Sequence, residues 1–313
     1  KTIAFLAPAL RHAIKNDLTL FFLTPRHSQH HIVIETIKQI REKFKLNFQV
    51  VDFIGKKQMC LQPGADLMAS GDFYDYCKEL RKKDSCEPFL NIKNKSLREI
   101  TLQMADEPLH AEELNKACKN YNLCPYEIAA IKGKKARVII ADYYHILSPS
   151  IRDSLFTRIQ KELQKCVIYF DEAHNLPDRC RKLLTTNLSS LTIERALKEN
   201  KSFNFDYEDD LLNIQNNIFT LAKTISIEKK ESLVKKQDFS IDQSLIAPLK
   251  EAAEIVREEQ KKSSLGVVAH FLESWQGPDK AYVRIIQRMF TKTGKPFVNL
   301  TYKCLDPSLL ISP

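Results

Sequence analysis

A chain of 313 residues, 43% of them hydrophobic, has room for about two or three domains and enough apolar side chains to fill their cores. No apolar run approaches the roughly 20 residues that carry a helix across a bilayer, and no secretory signal is recognised, so no membrane partner is expected and the protein is expected to be intracellular, cytoplasmic or nuclear. A net charge of +9 favours a polyanionic partner.

The first two residues, Lys1 and Thr2, match the end of a G-x-x-x-x-G-K-T phosphate loop. In that loop backbone N–H groups and the lysine cradle phosphates, and the threonine hydroxyl binds Mg²⁺. The chain is therefore expected to start inside a nucleotide site. Apolar residues at Ile3, Leu6, Ala7, Leu10 and Ile14 predict the helix that follows such a loop. Residues 18–23 (LTLFFL) predict a second buried strand, counted after the one that leads into such a loop, ending in the polar run Thr24-Pro25-Arg26-His27-Ser28-Gln29. A helix is expected over about 28–45. Thr24 and Arg26 stand where a strand's carboxyl end can meet phosphates, and Ser28 suits an N-cap.

Residues 48–54 predict a third strand and residues 137–141 a fourth. The fifth, CVIYF at 166–170, runs directly into Asp171, Glu172, Ala173 and His174. An apolar run ending on paired carboxylates places acid groups at the carboxyl edge of a sheet, where open α/β sheets bind ligands. Nucleotide hydrolysis needs one carboxylate to hold Mg²⁺ through its water shell and another to orient the attacking water. Strands alternating with helices predict a mainly parallel, doubly wound sheet.

Two long segments interrupt this alternation. Residues 55–133 are rich in Lys, Asp and Glu and carry no strand signal. Residues 181–295 read as mostly helical: a helix within 195–236, an apolar stripe at Leu245, Leu249, Ala252, Ile255 and Val256, and a helix over 265–275 with Val268, Phe271 and Leu272 inward. Residues 296–304 (PFVNLTYKC) alternate like a strand and are expected to rejoin the first sheet.

Eight cysteines in an intracellular chain argue against a disulfide framework. Cys60, Cys77, Cys86 and Cys124 enclose the first insertion, with 16, 8 and 37 residues between successive members. Structural zinc sites carry ligand pairs about two to four residues apart, which this set lacks. The wide spacing suits an iron–sulfur cluster held by four thiolates, or else scattered structural cysteines. Cys118 is a fifth candidate. Cys166, Cys180 and Cys304 suit packing.

Lys1-Thr2, the loop 24–29, GKKQMC at 55–60, LCPYE at 123–127, DYYHIL at 142–147 and DEAHN at 171–175 occur in an order and at intervals that resemble the XPD family of superfamily 2 DNA helicases, to which bacterial DinG proteins are related. The resemblance covers nearly the whole chain, the segment after DEAHN by length and position. It implies an α/β fold: a mainly parallel P-loop (RecA-like) first motor domain from 1–54, 134–180 and 296–313, a small iron–sulfur domain inserted at 55–133, and a mostly helical arch domain at 181–295. It implies a 4Fe–4S cluster on Cys60, Cys77, Cys86 and Cys124, with Cys118 outside the set. It implies ATP and Mg²⁺ as well, with Lys1 on the phosphates and Thr2 and Asp171 at Mg²⁺. Glu172 would position water, and His174 would couple the site to a second motor domain.

The resemblance further implies 5′ to 3′ translocation on single-stranded DNA, binding of forked DNA, and a role in nucleotide excision repair beside other repair factors. Thr24, Arg26, Lys56 and Tyr126 are expected at DNA, Tyr126 as a base-stacking ring. Lys56 and Ala130 stand where the family often has arginine. These residues alone, without a second motor domain, are expected to bind iron and DNA but neither to hydrolyse ATP efficiently nor to unwind duplex. Two alternatives are an iron–sulfur DNA-binding module without motor activity and a DNA-dependent ATPase whose cysteines hold zinc.

Overall fold

The computed structural model describes residues 2–68, 70–96, 98–99, 107–226, 228–260 and 263–311. Lys1, expected at the phosphates, lies outside the described residues. Among those described, no helix is long and apolar enough to cross a membrane. The chain divides into two compact units, Lys1–Leu176 and Pro177–Pro313.

The first unit is built on four strands: β1 Thr19–Thr24, β2 Gln49–Asp52, β3 Ala136–Asp142 and β4 Cys166–Phe170. Their order is β2-β3-β1-β4 and every pair is parallel. Each predicted strand forms, and side-chain alternation explains why their sequences are apolar throughout: both faces are covered. Leu20, Phe22, Val50, Val138 and Ile140 point to one face, where they pack with Leu6, Leu10, Val33, Ile34 and Ile37. These belong to the helices Thr2–Lys15 and His30–Phe44. On the other face Phe21 stacks on Phe156 of the helix Pro149–Ile159, with ring centres 5.2 Å apart.

Two helix expectations need correction. The first helix turns Leu6, Leu10 and Ala13 inward, while Ile3 and Ile14 are exposed; the i, i+4, i+7 stripe is what meets the sheet. Ser28 is not an N-cap. It lies inside a 3₁₀ turn, His27–Gln29, and the helix after it starts at His30 with no side-chain cap.

Between β2 and β3, the described residues form helices Ser70–Lys82, Ala111–Asn120 and Pro125–Lys135 with shorter turns, and no strand. The helix Pro125–Lys135 packs closely on Pro149–Ile159 because Gly133 has no side chain: a Cβ there would stand 2.7 Å from the Ile159 side chain.

The second unit holds β5 Thr186–Ser189, β6 Glu231–Leu233, β7 Tyr282–Phe290 and β8 Pro296–Cys304, all antiparallel in the order β5-β8-β7-β6. Helices Ser190–Ser202, Glu208–Lys223, Ile246–Gln260 and Ser264–Trp275 share one core with this sheet, centred on Trp275, Phe239, Phe271, Leu265 and Leu300. The expected strand at 296–304 therefore forms, but it does not rejoin the parallel sheet. It pairs along its whole length with β7, from Tyr282 opposite Cys304 to Phe290 opposite Pro296. The short chain between the two strands makes this local hairpin inexpensive in loop entropy.

Candidate functional site

The helix Thr2–Lys15 runs away from the carboxyl edge of the sheet, turns at Asn16–Asp17, and feeds β1, which runs back. Its first turn therefore stands at the edge where β1 and β4 end. Phe5, one turn after Thr2, stacks on Tyr169 of β4 with ring centres 5.7 Å apart. Thr2 and Asp171 thus share one edge, at the switch in strand order where β4 joins β1 on the side opposite β3.

Asp171 continues β4 by donating its N–H to the Leu23 carbonyl at 2.8 Å. Glu172 then leaves the strand at φ 52°, a left-handed conformation rare for a residue with a side chain. Two groups hold this turn. The Tyr143 hydroxyl donates to the carbonyls of both Asp171 and Glu172, the latter at 3.0 Å. The Asn175 side chain donates to the Glu172 carbonyl at 3.1 Å. His174 is largely exposed, with Nδ1 3.4 Å from a Glu172 carboxylate oxygen and Nε2 3.0 Å from the Asn175 amide. The turn that carries the paired acids is therefore held through its backbone carbonyls. Tyr143 carries no signal in the sequence beyond its place in DYYHIL.

Beside this turn, Asp142 ends β3 opposite Thr24. It accepts from the Tyr144 N–H at 2.9 Å and meets His145 at 3.1 Å and His27 at 3.6 Å. Burial opposes ionisation of Asp142, but hydrogen bonds from His145 and His27 outweigh it and hold the carboxyl well below the usual carboxylate range. The hydrogen bond to Asp142 in turn raises the pKa of His27. Thr24 is fully buried and donates its hydroxyl to the Arg26 carbonyl at 3.0 Å. Thr24, expected at phosphate, thus points into the loop here, while Arg26 is exposed.

The second site is a cavity with about 380 Å³ of empty space, part of it open to solvent. Its walls include Cys60, Cys77, Cys86 and Cys124 together with Phe73, Phe89, Lys56 and Arg81. Four elements deliver the cysteines. Cys60 follows the turn after β2, and Cys77 lies in the helix Ser70–Lys82. Cys86 precedes the short helix Glu87–Leu90, while Cys124 caps Pro125–Lys135 with its N–H bonded to the Pro88 carbonyl at 2.9 Å. Cys118 is fully buried in the helix Ala111–Asn120 and is not part of the wall.

Burial pushes the Cys124 thiol up to about 12, and the nearby Cys86 and Cys77 act in the same direction. Cys60 is raised for the same reasons, burial first and then its neighbours Cys77 and Cys86. Burial and these sulfur neighbours make Cys60 and Cys124 poor thiolates unless a cation lies beside them. The donor set therefore fits a metal centre ligated by four sulfurs. Lys56 and Arg81 in the wall add compensating charge.

Tyr126 is also in this wall and is only 7% exposed. Phe53 meets its ring edge-on at 5.9 Å, and the Lys56 ammonium lies 5.4 Å from its centre. Arg158 lies 5.9 Å from the same ring and pairs with Glu127 at 2.6 Å, while Arg81 reaches Glu127 at 3.4 Å. The Tyr126 ring, expected to stack on a base, lines the cysteine cavity in this structure. Arg81 and Arg158 were missed from sequence: Arg81 sits between Cys77 and Cys86 in a lysine-rich helix where no pattern singles it out, and Arg158 comes from a helix outside the insertion. Ala130 is buried, so cationic groups reach this region from those helices instead.

A family model described as DEAD_2 matches residues 22–193. The chain is 26% identical over 231 residues to the ATP-dependent DNA helicase CHL1 of Kluyveromyces lactis, covering 68% of this chain and 27% of that protein. It is 24% identical over 182 residues to the general transcription and DNA repair factor IIH helicase subunit XPD/RAD3 of Saccharomyces cerevisiae, covering 53% and 23%. The chain thus spans about a quarter of the length of these curated relatives. Among solved structures, an XPD helicase superposes with a TM-score of 0.60 at 22% identity over 94% of this chain and 47% of that one. A truncated XPD gives 0.56 at 21% identity over 94% and 76%. These structures share the fold.

Proposed function

Because the chain belongs to the DEAD_2 family, of XPD-like superfamily 2 helicases, we propose that it supplies the first motor domain of an ATP-dependent DNA helicase and carries a 4Fe–4S cluster on Cys60, Cys77, Cys86 and Cys124. The single observation that supports this most is the gathering of those four residues, spread from 60 to 124, around one cavity.

At the acidic strand end, Asp171 and the Thr2 hydroxyl would hold Mg²⁺, Glu172 would orient the attacking water, and Lys1 would serve the phosphates. When bound, Mg²⁺ would supply positive charge beside the phosphates. Tyr143 and Asn175 hold the acids without touching the nucleotide, and His174 passes the state of the site to a second motor domain. On the DNA side, Arg26 and Lys56 meet the backbone of a single strand, consistent with the net charge of +9. When bound, the cluster supplies a rigid cross-link between four chain segments. The surrounding residues shield it: Tyr126, Phe73 and Phe89 exclude water, while Arg81 and Lys56 balance its charge. The same reading extends to 5′ to 3′ movement on single-stranded or forked DNA and to nucleotide excision repair. The printed name of the Saccharomyces cerevisiae relative, a DNA repair factor subunit, supports the repair role.

Iron and acid-labile sulfide analysis after anaerobic purification tests the cluster. About four irons per chain are expected. Changing Cys60, Cys77, Cys86 or Cys124 to serine should remove most of the iron and the visible thiolate-to-iron absorbance, whereas Cys118→Ser should keep both. Stoichiometric zinc in place of iron, or iron that depends on Cys118, would overturn the assignment.

A further inference from the structure

The edge of the parallel sheet opposite Asp171 gathers cations that neither the acidic turn nor the cysteine cavity uses. All four strands run the same way, so their starts meet at that edge: Thr19 opens β1, Gln49 β2 and Ala136 β3, and Lys165 immediately precedes β4. Lys134 and Lys135 close the helix Pro125–Lys135, and Lys161 follows the helix Pro149–Ile159. With Arg137 and Lys165 they line a cleft with about 710 Å³ of empty space, part of it open to solvent.

Two carboxylates share this wall, and each is engaged locally. Asp17 accepts from the Arg137 guanidinium at 2.7 Å, and the Glu162 carboxylate lies 3.4 Å from the Lys165 ammonium. Among the described residues no ion pair engages Lys134, Lys135 or Lys161. Two helices end here, and each C-terminus carries about half a unit of negative charge, so together they offset about one of these three lysines. Burial holds Lys161 below the usual lysine range, and the nearby Arg137 charge acts in the same direction. Like charges crowded around an open cleft favour the entry of an anion.

A second groove continues the first. It shares Lys135 and Arg137 and is bordered by Ile14, Leu46 and Phe48. Phe48 is partly exposed there. Cations that lead onto an apolar wall with an aromatic ring suit a single nucleic-acid strand, whose phosphates follow the charge while a base meets the ring. Acidic side chains of a peptide would satisfy the lysines but offer no flat face to Phe48.

We propose that this cleft is a second site for single-stranded nucleic acid, with Lys134, Lys135 and Lys161 on its phosphates. The site lies at the edge of the sheet opposite Arg26, which follows the carboxyl end of β1. Its ligand class rests on the DNA-helicase reading above; its place in the fold does not.

The test measures binding of a fluorescently labelled oligothymidine to the full chain by anisotropy at several salt concentrations. Replacing Lys134, Lys135 and Lys161 together by glutamine should make the slope of log affinity against log salt shallower by about 2, since each phosphate contact on a single strand contributes about 0.7. Lys229→Gln, Lys230→Gln and Lys292→Gln together remove the same charge from the second unit and should leave the slope near its native value. Amide hydrogen exchange needs no variant, and the oligonucleotide should slow it at residues 134–137 and 161–165. A slope that changes with Arg26→Ala but not with the first triple, or equally with both triples, would overturn the second site. A slope that changes with the first triple and not with Arg26→Ala would keep the second site and remove Arg26 from the DNA. Protection of 134–137 and 161–165 by polyglutamate but not by oligothymidine would overturn the proposal in favour of an acidic protein partner, and an absence of oligothymidine binding would overturn it outright.

Discussion

Glu172 has a left-handed backbone, φ 52°, that its own sequence does not favour. The Tyr143 hydroxyl, bonded to the carbonyls of Asp171 and Glu172, supplies the restraint. Glu172→Gln keeps the shape but loses the charge proposed to orient water, so steady-state ATPase turnover should fall about 10²- to 10⁴-fold. Tyr143→Phe should act more mildly. By letting the acids drift it should lower kcat on the order of 10- to 100-fold with little change in KM for ATP. An unchanged kcat in Tyr143→Phe would show that the turn holds itself. At this scale the acidic pair was legible in the sequence because its carboxylates directly follow an apolar strand. Its anchor was not, because the tyrosine lies 28 positions away and reaches the turn only through the fold. The burial of Thr24 and Tyr126 was likewise not legible, because the covering groups come from elsewhere in the fold.

Among elements, the parallel strands were legible because covering both faces makes each a continuous apolar run. The strand β7 was not foreseen. Its inward positions include Arg284, which is 4% exposed. That guanidinium donates to the Trp275 and Gly277 carbonyls at 2.9 Å each and stacks over Tyr302 at 4.6 Å. A charged residue on the buried face erases the alternation that marks a half-buried strand. For β8 the alternation was visible, but a period of two identifies a strand and not its sheet. Helix ends are equally non-local. Glu199, in the helix Ser190–Ser202, accepts the backbone N–H groups of Ser264 and Leu265 at 2.7 and 3.0 Å and the Ser263 hydroxyl at 3.1 Å. A carboxylate there satisfies orphan donors and opposes the helix dipole. Glu199→Ala should destabilise the second unit by about 1–2 kcal/mol, read as a lower denaturation midpoint. A change below about 0.3 kcal/mol would mean that water replaces the cap.

At the scale of the molecule, each unit carries its own core. Leu6, Phe22 and Val138 belong to the first, and Trp275, Phe271 and Leu300 to the second. If this chain works together with a second motor domain, the proposed polarity predicts unwinding of a fork that offers a 5′ single-stranded tail and little unwinding of one that offers only a 3′ tail. The reverse preference in a strand-displacement assay would remove the 5′ to 3′ assignment while leaving the family intact. By itself the sequence determined the element types of the parallel sheet, the acidic strand end and the four cysteines, because each is a short-range pattern of polarity or residue type. Only the tertiary structure decided that β8 belongs to an antiparallel sheet, that Tyr143 anchors the acidic turn, and that His30, Asp52 and His110 meet. Those facts depend on contacts between residues far apart along the chain, and such contacts leave no periodic trace in the order of the amino acids.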